Sequence, residues 1–113
     1  MARLVYRAAA LRDLADIASY IERESGNRAV AESFVERLTN FCEHIASLPA
    51  AMGRPRPELR RDYHSITYGS YVIFIRYADE DGPRSHLYVG NIVHGRRDID
   101  AYFVDHPDDD DDG

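Results

Sequence analysis

An apolar stripe between residues 28 and 48 constrains the fold more than any other feature of the sequence. The stripe advances by four, four, three, four and three residues, through Val30, Phe34, Leu38, Phe41, Ile45 and Leu48. This spacing places all six side chains on one face of an α-helix. Pro49 ends the predicted helix, because proline lacks the amide hydrogen that another turn would need. A helix with so strong an apolar face needs another apolar surface to cover.

A shorter helix is predicted just before it, beginning near Ala8. Its apolar residues also recur at steps of three and four, and they are Leu11, Leu14, Ile17, Ala18 and Ile21. Gly26 is the expected left-handed residue after the helix, and Asn27 is the expected N-cap of the next one. Since so few residues join the two helices, they form an antiparallel hairpin.

The remaining apolar segments have the character of strands. Alternation predicts strands over residues 3–6 and 63–68. The most apolar run, 71–77, is the predicted central strand, and a strand over 85–93 completes an antiparallel meander. A short last helix capped by Asp98 or Asp100 is expected to run through Phe103. The predicted order is β-α-α-β-β-β. It corresponds to an α+β, two-layer fold in which a helical hairpin packs on an antiparallel sheet, with a short C-terminal helix.

Length and charge indicate one domain with an acidic tail. The chain has 113 residues, and the domain is predicted to span residues 1–104. Six of the 20 acidic residues lie in residues 105–113, which are predicted to be disordered. The other fourteen acids balance fourteen basic residues, all of them arginine. A neutral body argues against direct nucleic-acid binding by this chain alone.

Compartment and cofactors follow from what the sequence lacks. Its single cysteine, Cys42, cannot form an intramolecular disulfide. No apolar run approaches the ~20 residues that span a bilayer, and no signal peptide is evident. The five histidines do not have zinc-ligand spacing, and there is no phosphate-binding loop. We therefore expect a cytoplasmic protein with no membrane association, metal or cofactor.

Residues 49–61 form the most basic segment, and three prolines with one glycine exclude regular structure from it. Two interpretations stay open: a solvated loop, or a surface whose arginines bind a partner's acids. The apolar residues also exceed what two layers can hide, so a groove for an amphipathic partner segment is expected. The residues predicted for this partner surface are Leu11, Leu14, Arg54, Arg56, Arg60, Arg61, Tyr68, Tyr71 and Ile73.

Residues 94–98, His-Gly-Arg-Arg-Asp, lie where the last strand ends. Arg96 and Arg97 could clamp a phosphate there, and His94 could move a proton near neutral pH. The alternative is a simple turn at Gly95, with Arg97 paired to a nearby aspartate and the remaining side chains solvated.

An ordered set of short motifs in the chain resembles the ParE toxins of the ParE/RelE superfamily. These motifs are Ala10-x-x-Asp13-Leu14-x-x-Ile17-x-x-Tyr20-Ile21, Gly26, Ala29-x-x-x-x-Phe34, Leu48-Pro49-x-x-Gly53, Glu58-Leu59, Tyr71-x-Ile73-x-Ile75-x-Tyr77 and Ile92-Val93-His94-Gly95-Arg96-Arg97-Asp98. The match covers about residues 3–103.

The resemblance implies a toxin of a type II toxin–antitoxin system. Its fold would be that of ParE and RelE, its partner a ParD-like antitoxin bound in a hetero-oligomer at the predicted partner surface, and its target DNA gyrase. His94, Arg96, Arg97 and Tyr102 would then bind the target, and the protein would not be an enzyme.

Two alternatives stay open. RelE-like relatives cut mRNA on the ribosome, and in that case His94, Arg96, Arg97 and Tyr102 would be catalytic. The absence of lysine, which several such nucleases use, argues against this activity. The other alternative is a binding module that has lost its toxicity.

Overall fold

The computed structural model of the chain describes residues 2–105. The prediction of a disordered acidic tail falls on residues 106–113, outside the described part, apart from Asp105, which ends the last helix. The elements in chain order are β1 (Arg3–Tyr6), α1 (Ala8–Ser25), α2 (Arg28–Ser47), β2 (Arg54–Pro55), β3 (His64–Tyr68), β4 (Tyr71–Ala78), β5 (His86–His94) and α3 (Ile99–Asp105). The α+β class, the helical hairpin and the short C-terminal helix are confirmed.

The strands form one sheet in the order β1-β5-β4-β3-β2. β3, β4 and β5 form the predicted antiparallel meander with β4 at the centre. β1, however, pairs with β5 in parallel, so the sheet is mixed and the prediction of a wholly antiparallel sheet is wrong at this edge. The cause is the long crossover between the two strands, which brings the chain back beside β1 in the same direction.

The segment 49–61 also differs slightly from its prediction. Arg54 and Pro55 form a two-residue strand that pairs with Ser65 and His64 of β3. Proline is tolerated there because β2 is the edge of the sheet and its outer side needs no amide donor.

Local signals set the boundary between α1 and α2 as predicted. Gly26 adopts a left-handed conformation (φ 66°), and its amide donates to the carbonyl oxygen of Glu22 at 2.8 Å. The side-chain oxygen of Asn27 accepts hydrogen bonds from the amides of Ala29 at 2.9 Å and Val30 at 3.3 Å. The two caps therefore satisfy backbone groups that the hairpin turn would otherwise leave without partners.

The main core lies between the helical hairpin and one face of the sheet. Leu38 of α2 is fully buried, and so are Leu87 and Val89 of β5. Other buried members are Ala10, Ile17, Cys42, Ile45, Ala46, Tyr71, Ile73, Ile75 and Ile92. Burial raises the pKa of the Cys42 thiol to about 11, which makes it a packing residue rather than a reactive one.

A second apolar cluster lies on the opposite face, because successive residues of β4 point to opposite sides of the sheet. Phe74 is its fully buried centre, and the other buried members are Tyr63, Val93 and Tyr102. Ile99 and Phe103 of α3 pack against it. This second cluster fixes α3, and therefore the segment between β5 and α3, to the body of the protein.

In residues 2–105, no helix combines the length and the apolar character that crossing a membrane would require.

Candidate functional site

The segment of residues 94–98, here called the arginine turn, connects β5 to α3 at the surface. Arg96 and Arg97 are exposed. The amide of Gly95 donates to the carbonyl oxygen of Ser70 at 2.7 Å, and the amide of Arg97 donates to that of His94 at 3.0 Å. Backbone hydrogen bonds therefore hold the turn while its two guanidinium groups face outward.

Asp98 ends the arginine turn as the N-cap of α3. Its carboxylate accepts a hydrogen bond from the amide of Ala101 at 3.1 Å, which confirms the predicted cap. Arg97 lies with its guanidinium carbon 4.9 Å from the centre of the Tyr102 ring. The position of Arg97 is therefore set by an aromatic side chain of α3.

His94 is partly buried at the start of the turn. Its Nδ1 atom accepts a hydrogen bond from the amide of Arg96 at 3.1 Å, and its ring lies edge-on against Tyr71 at 5.2 Å. In the neutral ring this acceptor role leaves the proton on Nε2. Only Nε2 is then free to exchange a proton with a bound molecule.

Tyr102 differs from the other residues that the sequence grouped in the target-binding set. Its side chain is only 2 % exposed and belongs to the second cluster. The hydroxyl donates to the Asp13 carboxylate, 3.0 Å from Oδ2, and accepts from Nδ2 of Asn91 at 3.0 Å. Burial is the main cause that raises its pKa to about 12. Tyr102 is thus not positioned to contact a target in this structure.

Asp13 is the central site residue that sequence reasoning missed. It looked like one more polar residue on the solvent face of α1, yet its Oδ2 accepts a hydrogen bond from the amide of Ile92 in β5 at 2.8 Å. That amide lies past the end of β1, whose last pairing is Tyr6 with Val89. A carboxylate thus substitutes for the missing strand partner. Asp13 belongs to the motif of α1 that resembles the ParE toxins, but nothing in that motif indicates that its side chain contacts β5.

The hydrogen bonds continue from Tyr102 to the basic segment. Asn91 is almost fully buried, and its Oδ1 accepts from the hydroxyl of Tyr63 at 2.9 Å. Arg60 donates to the Tyr63 hydroxyl at 3.2 Å and stacks over the Phe103 ring at 4.7 Å. Arg60 is therefore part of the internal packing around α3.

The other arginines of the basic segment divide into two classes. Arg56 is mostly covered: it pairs with Glu58 at 2.7 Å and lies over the Phe74 ring at 5.8 Å. The hydrogen bond from Arg56 is the main cause that lowers the pKa of Glu58. Arg54 and Arg61 are exposed. Of the four, these two are the ones whose side chains a partner could reach.

The predicted apolar groove is largely filled by α2. Tyr71 is 8 % exposed and Ile73 is 2 % exposed, so both belong to the core rather than to a partner surface. Phe34 and Phe41 of α2 cover the strand tyrosines, with Phe41 4.8 Å from Tyr68 between ring centres. The predicted amount of exposed apolar surface was too large, because the sequence does not show how far the Phe34 and Phe41 rings extend over the sheet.

Among the apolar residues predicted for the partner surface, the exposed one lies on α1. Leu11 is 54 % exposed, whereas Leu14 and Tyr68 are partly buried against the main core. Tyr20 on the same helix is 50 % exposed and had not been included in the set. Tyr20 and Asp16 also line an open cleft of about 130 Å³ that reaches His94 and Arg97.

No group of three His, Cys, Asp or Glu side chains in residues 2–105 is arranged to hold a metal ion.

Comparison with known proteins gives the family. No curated protein sequence matches the chain significantly. A family model does match, over residues 4–99, and it describes the ParE toxin of the type II toxin–antitoxin system parDE. The match includes the helical hairpin, the sheet apart from the first residue of β1, and the arginine turn. By this match over most of its length, the chain belongs to the ParE toxin family.

Proposed function

We propose that this type II toxin acts by binding and inhibiting DNA gyrase through its arginine turn, without cleaving RNA, and that a ParD-like antitoxin neutralises it. Membership of the ParE family gives the toxin and the existence of an antitoxin partner. The gyrase target, the ParD type of the partner and the non-enzymatic mode of action are the proposed part.

The observation that carries the proposal is that Arg96 and Arg97 are exposed whereas Tyr102 is buried. Arg96 and Arg97 project from a turn that is fixed at both ends, as a binding surface for a macromolecule requires. Adjacent guanidinium groups offer several donors in a planar arrangement, which suits the carboxylates of a protein partner. Because the backbone of the turn is already fixed, little backbone entropy is lost when the turn binds a partner.

The same placement argues against RNA cleavage. A nuclease of the RelE type would need a group that moves a proton at the scissile phosphate. Tyr102 is buried, hydrogen-bonded to Asp13 and Asn91, and has a pKa far above neutrality. His94 already uses Nδ1 within the turn. The arginines could still bind a phosphate, but with Tyr102 buried, Nε2 of His94 is the group of the predicted set that could exchange a proton there.

The proposed antitoxin surface is made of exposed side chains outside the arginine turn. Exposed Leu11 on α1 and exposed Arg54 and Arg61 in the basic segment remain from the predicted set. An amphipathic antitoxin segment would place an apolar side chain against Leu11 and carboxylates against Arg54 and Arg61. The complex would be a hetero-oligomer.

A supercoiling assay with purified toxin tests the gyrase proposal. The toxin is expected to block supercoiling at micromolar concentration, and the double variant Arg96→Glu/Arg97→Glu is expected to lose at least about tenfold in potency. The matched control is Arg23→Glu/Arg28→Glu, which makes the same change in charge at exposed sites near the α1–α2 turn. This control should inhibit like the wild type.

Two further measurements separate the alternatives. Primer extension on translated mRNA should show intact message after the toxin is induced, and cuts that disappear in the Arg96→Glu/Arg97→Glu variant would establish the nuclease instead. Expression without the antitoxin should arrest growth. Unimpeded growth together with unhindered gyrase would indicate a binding module without toxicity.

A further inference from the structure

One carboxylate ties both ends of the arginine turn to the helical hairpin. Asp13 of α1 accepts from the Ile92 amide at 2.8 Å, just before the turn, and from the Tyr102 hydroxyl at 3.0 Å, just after it. These partners lie 79 and 89 residues away along the chain. The contacts therefore fix the turn relative to α1 and not only to its own neighbours.

The bond to Tyr102 leads directly to Arg97. The Tyr102 hydroxyl donates to Asp13 and accepts from Nδ2 of Asn91, each at 3.0 Å, and these two hydrogen bonds hold the ring. The guanidinium of Arg97 rests over this ring at 4.9 Å. Because a cation–π contact depends on the location of the ring face, a shift of the ring moves the favoured place of the guanidinium.

The surroundings make the tie strong. Tyr102 is 2 % exposed and Asn91 is 1 % exposed, so water has little access to the hydroxyl of the one and the side-chain amide of the other. Hydrogen bonds to an ionised carboxylate are shorter and stronger than those between neutral groups, and they gain further where water is excluded. The hydrogen bonds that join the Tyr102 hydroxyl to Asp13 and to Asn91 are both 3.0 Å long.

We propose that Asp13 is a positioning residue of this toxin: through Tyr102 it fixes Arg97 for binding to the target. Asp13 does not itself touch the target. The expected effect on target binding rests on the proposed function, because it requires the arginine turn to be the binding surface. The geometric part, that Asp13 and the Tyr102 hydroxyl fix the Arg97 side chain, does not depend on which molecule is bound.

The chain offers a matched pair of variants. Tyr102→Phe removes a buried hydroxyl that contacts both Asn91 and Asp13, so Arg97 keeps an aromatic ring beneath it but the ring loses the hydrogen bonds that fix it. Tyr63→Phe removes another buried hydroxyl, which donates to Oδ1 of the same Asn91 at 2.9 Å, whereas the ring that lies under Arg97 is that of Tyr102. Both variants are expected to lose comparable global stability, so a merely structural role would affect them alike.

The experiment first measures the Arg97 side chain in the free toxin by NMR, from the Nε–Hε shift and relaxation. Tyr102→Phe is expected to shift this signal and to increase its mobility, whereas Tyr63→Phe leaves it at the wild-type position. Asp13→Ala serves as the second variant and should also speed hydrogen exchange of the Ile92 amide. If Tyr102→Phe and Tyr63→Phe give the same Arg97 signal, or if neither changes it, the positioning role is refuted.

Binding of immobilised gyrase is then measured for the same proteins. Tyr102→Phe is expected to bind about tenfold more weakly, the effect of losing one charge-assisted contact that fixes a binding group, and Tyr63→Phe within about twofold of wild type. Wild-type toxin that does not bind gyrase refutes the proposed function, while the Arg97 signal still decides the positioning role. Equal binding by the two variants, with gyrase bound by the wild type, refutes the inference.

Discussion

Gly90 lies directly against the hydroxyl of Tyr63, so closely that a methyl group at position 90 would overlap the phenol oxygen. The contact occurs where β5 departs from its regular register with β4, next to the shift between Phe74 and Ile75. It lets Tyr63 reach Asn91 across the strand. The absence of a side chain at residue 90 is thus what allows the buried hydrogen-bond network to form.

Gly90→Ala should therefore destabilise the protein by about 1–3 kcal/mol, the usual cost of forcing an extra methyl group into a packed interior. Urea unfolding followed by circular dichroism measures the change. In a Tyr63→Phe background the same substitution should cost less, because the closest atom is gone while the ring remains. Equal costs in the two backgrounds would show that the Tyr63 hydroxyl is not the obstacle.

Asn27→Ala should lower the free energy of unfolding by about 1 kcal/mol, because two amides at the start of α2 lose their acceptor. The control is Asn40→Ala, a change of the same side chain at an exposed position inside α2. Alanine favours a helix interior, so this control should be neutral or slightly stabilising. If both variants lose the same stability, the cap contributes nothing measurable.

The α1–α2 turn and Asp13 show which features a sequence can reveal. Gly26 and Asn27 act on backbone groups within four residues, so their identities alone predicted the boundary between the helices. Asp13 acts on Ile92 and Tyr102, and its role depends on where β1 ends relative to β5. Hydrophobic periodicity carries no information on such a pairing. The fold could be predicted from local patterns, whereas the network at the site could not.

The burial of Tyr102 has a similar origin. The resemblance to the ParE/RelE toxins had grouped it with the arginines as a target-binding residue. The second cluster, which buries it, combines Tyr63, Phe74, Val93 and Phe103 from four segments of the chain. Each of these residues looked like an ordinary strand or helix residue on its own, and the face to which it points became clear only with the strand register.

Alkaline pH should destabilise the protein through Tyr102. Burial raises its pKa in the folded state from 10.0 to about 12. Its contribution to stability is therefore complete below about pH 10, and it is lost as the pH rises toward 12, where the unfolded chain releases a proton that the folded chain retains. Tyr6 acts in the same direction, since burial also raises its pKa.

Urea unfolding of wild type and Tyr102→Phe at about pH 9 and about pH 11 measures this contribution. Both proteins should lose stability with rising pH, and the wild type should lose more, because the variant lacks one of the titrating groups. The difference in stability between them should therefore shrink as the pH rises. A difference that is constant over this range would contradict the raised pKa of Tyr102.

The arginines of the basic segment should separate by function. Arg54→Glu/Arg61→Glu should weaken the antitoxin complex by about tenfold or more, because opposed charges at a binding surface become like charges. The stability of the free toxin should stay within about 0.5 kcal/mol of wild type, as is usual for exposed positions.

Arg60→Met should instead lower the stability of the free toxin. It should cost the free toxin roughly 1–3 kcal/mol, because the hydrogen bond to Tyr63 and the contact with the Phe103 ring are lost inside a covered site.

Calorimetric titration with the antitoxin, together with urea unfolding of the free toxin, distinguishes the two classes. Arg60→Met that remains folded should bind the antitoxin like the wild type, since its guanidinium faces the second cluster rather than solvent. If Arg54→Glu/Arg61→Glu binds the antitoxin with unchanged affinity, the exposed arginines only solvate the segment. The antitoxin surface would then have to be sought on α1, around Leu11 and Tyr20, the exposed apolar residues of that helix.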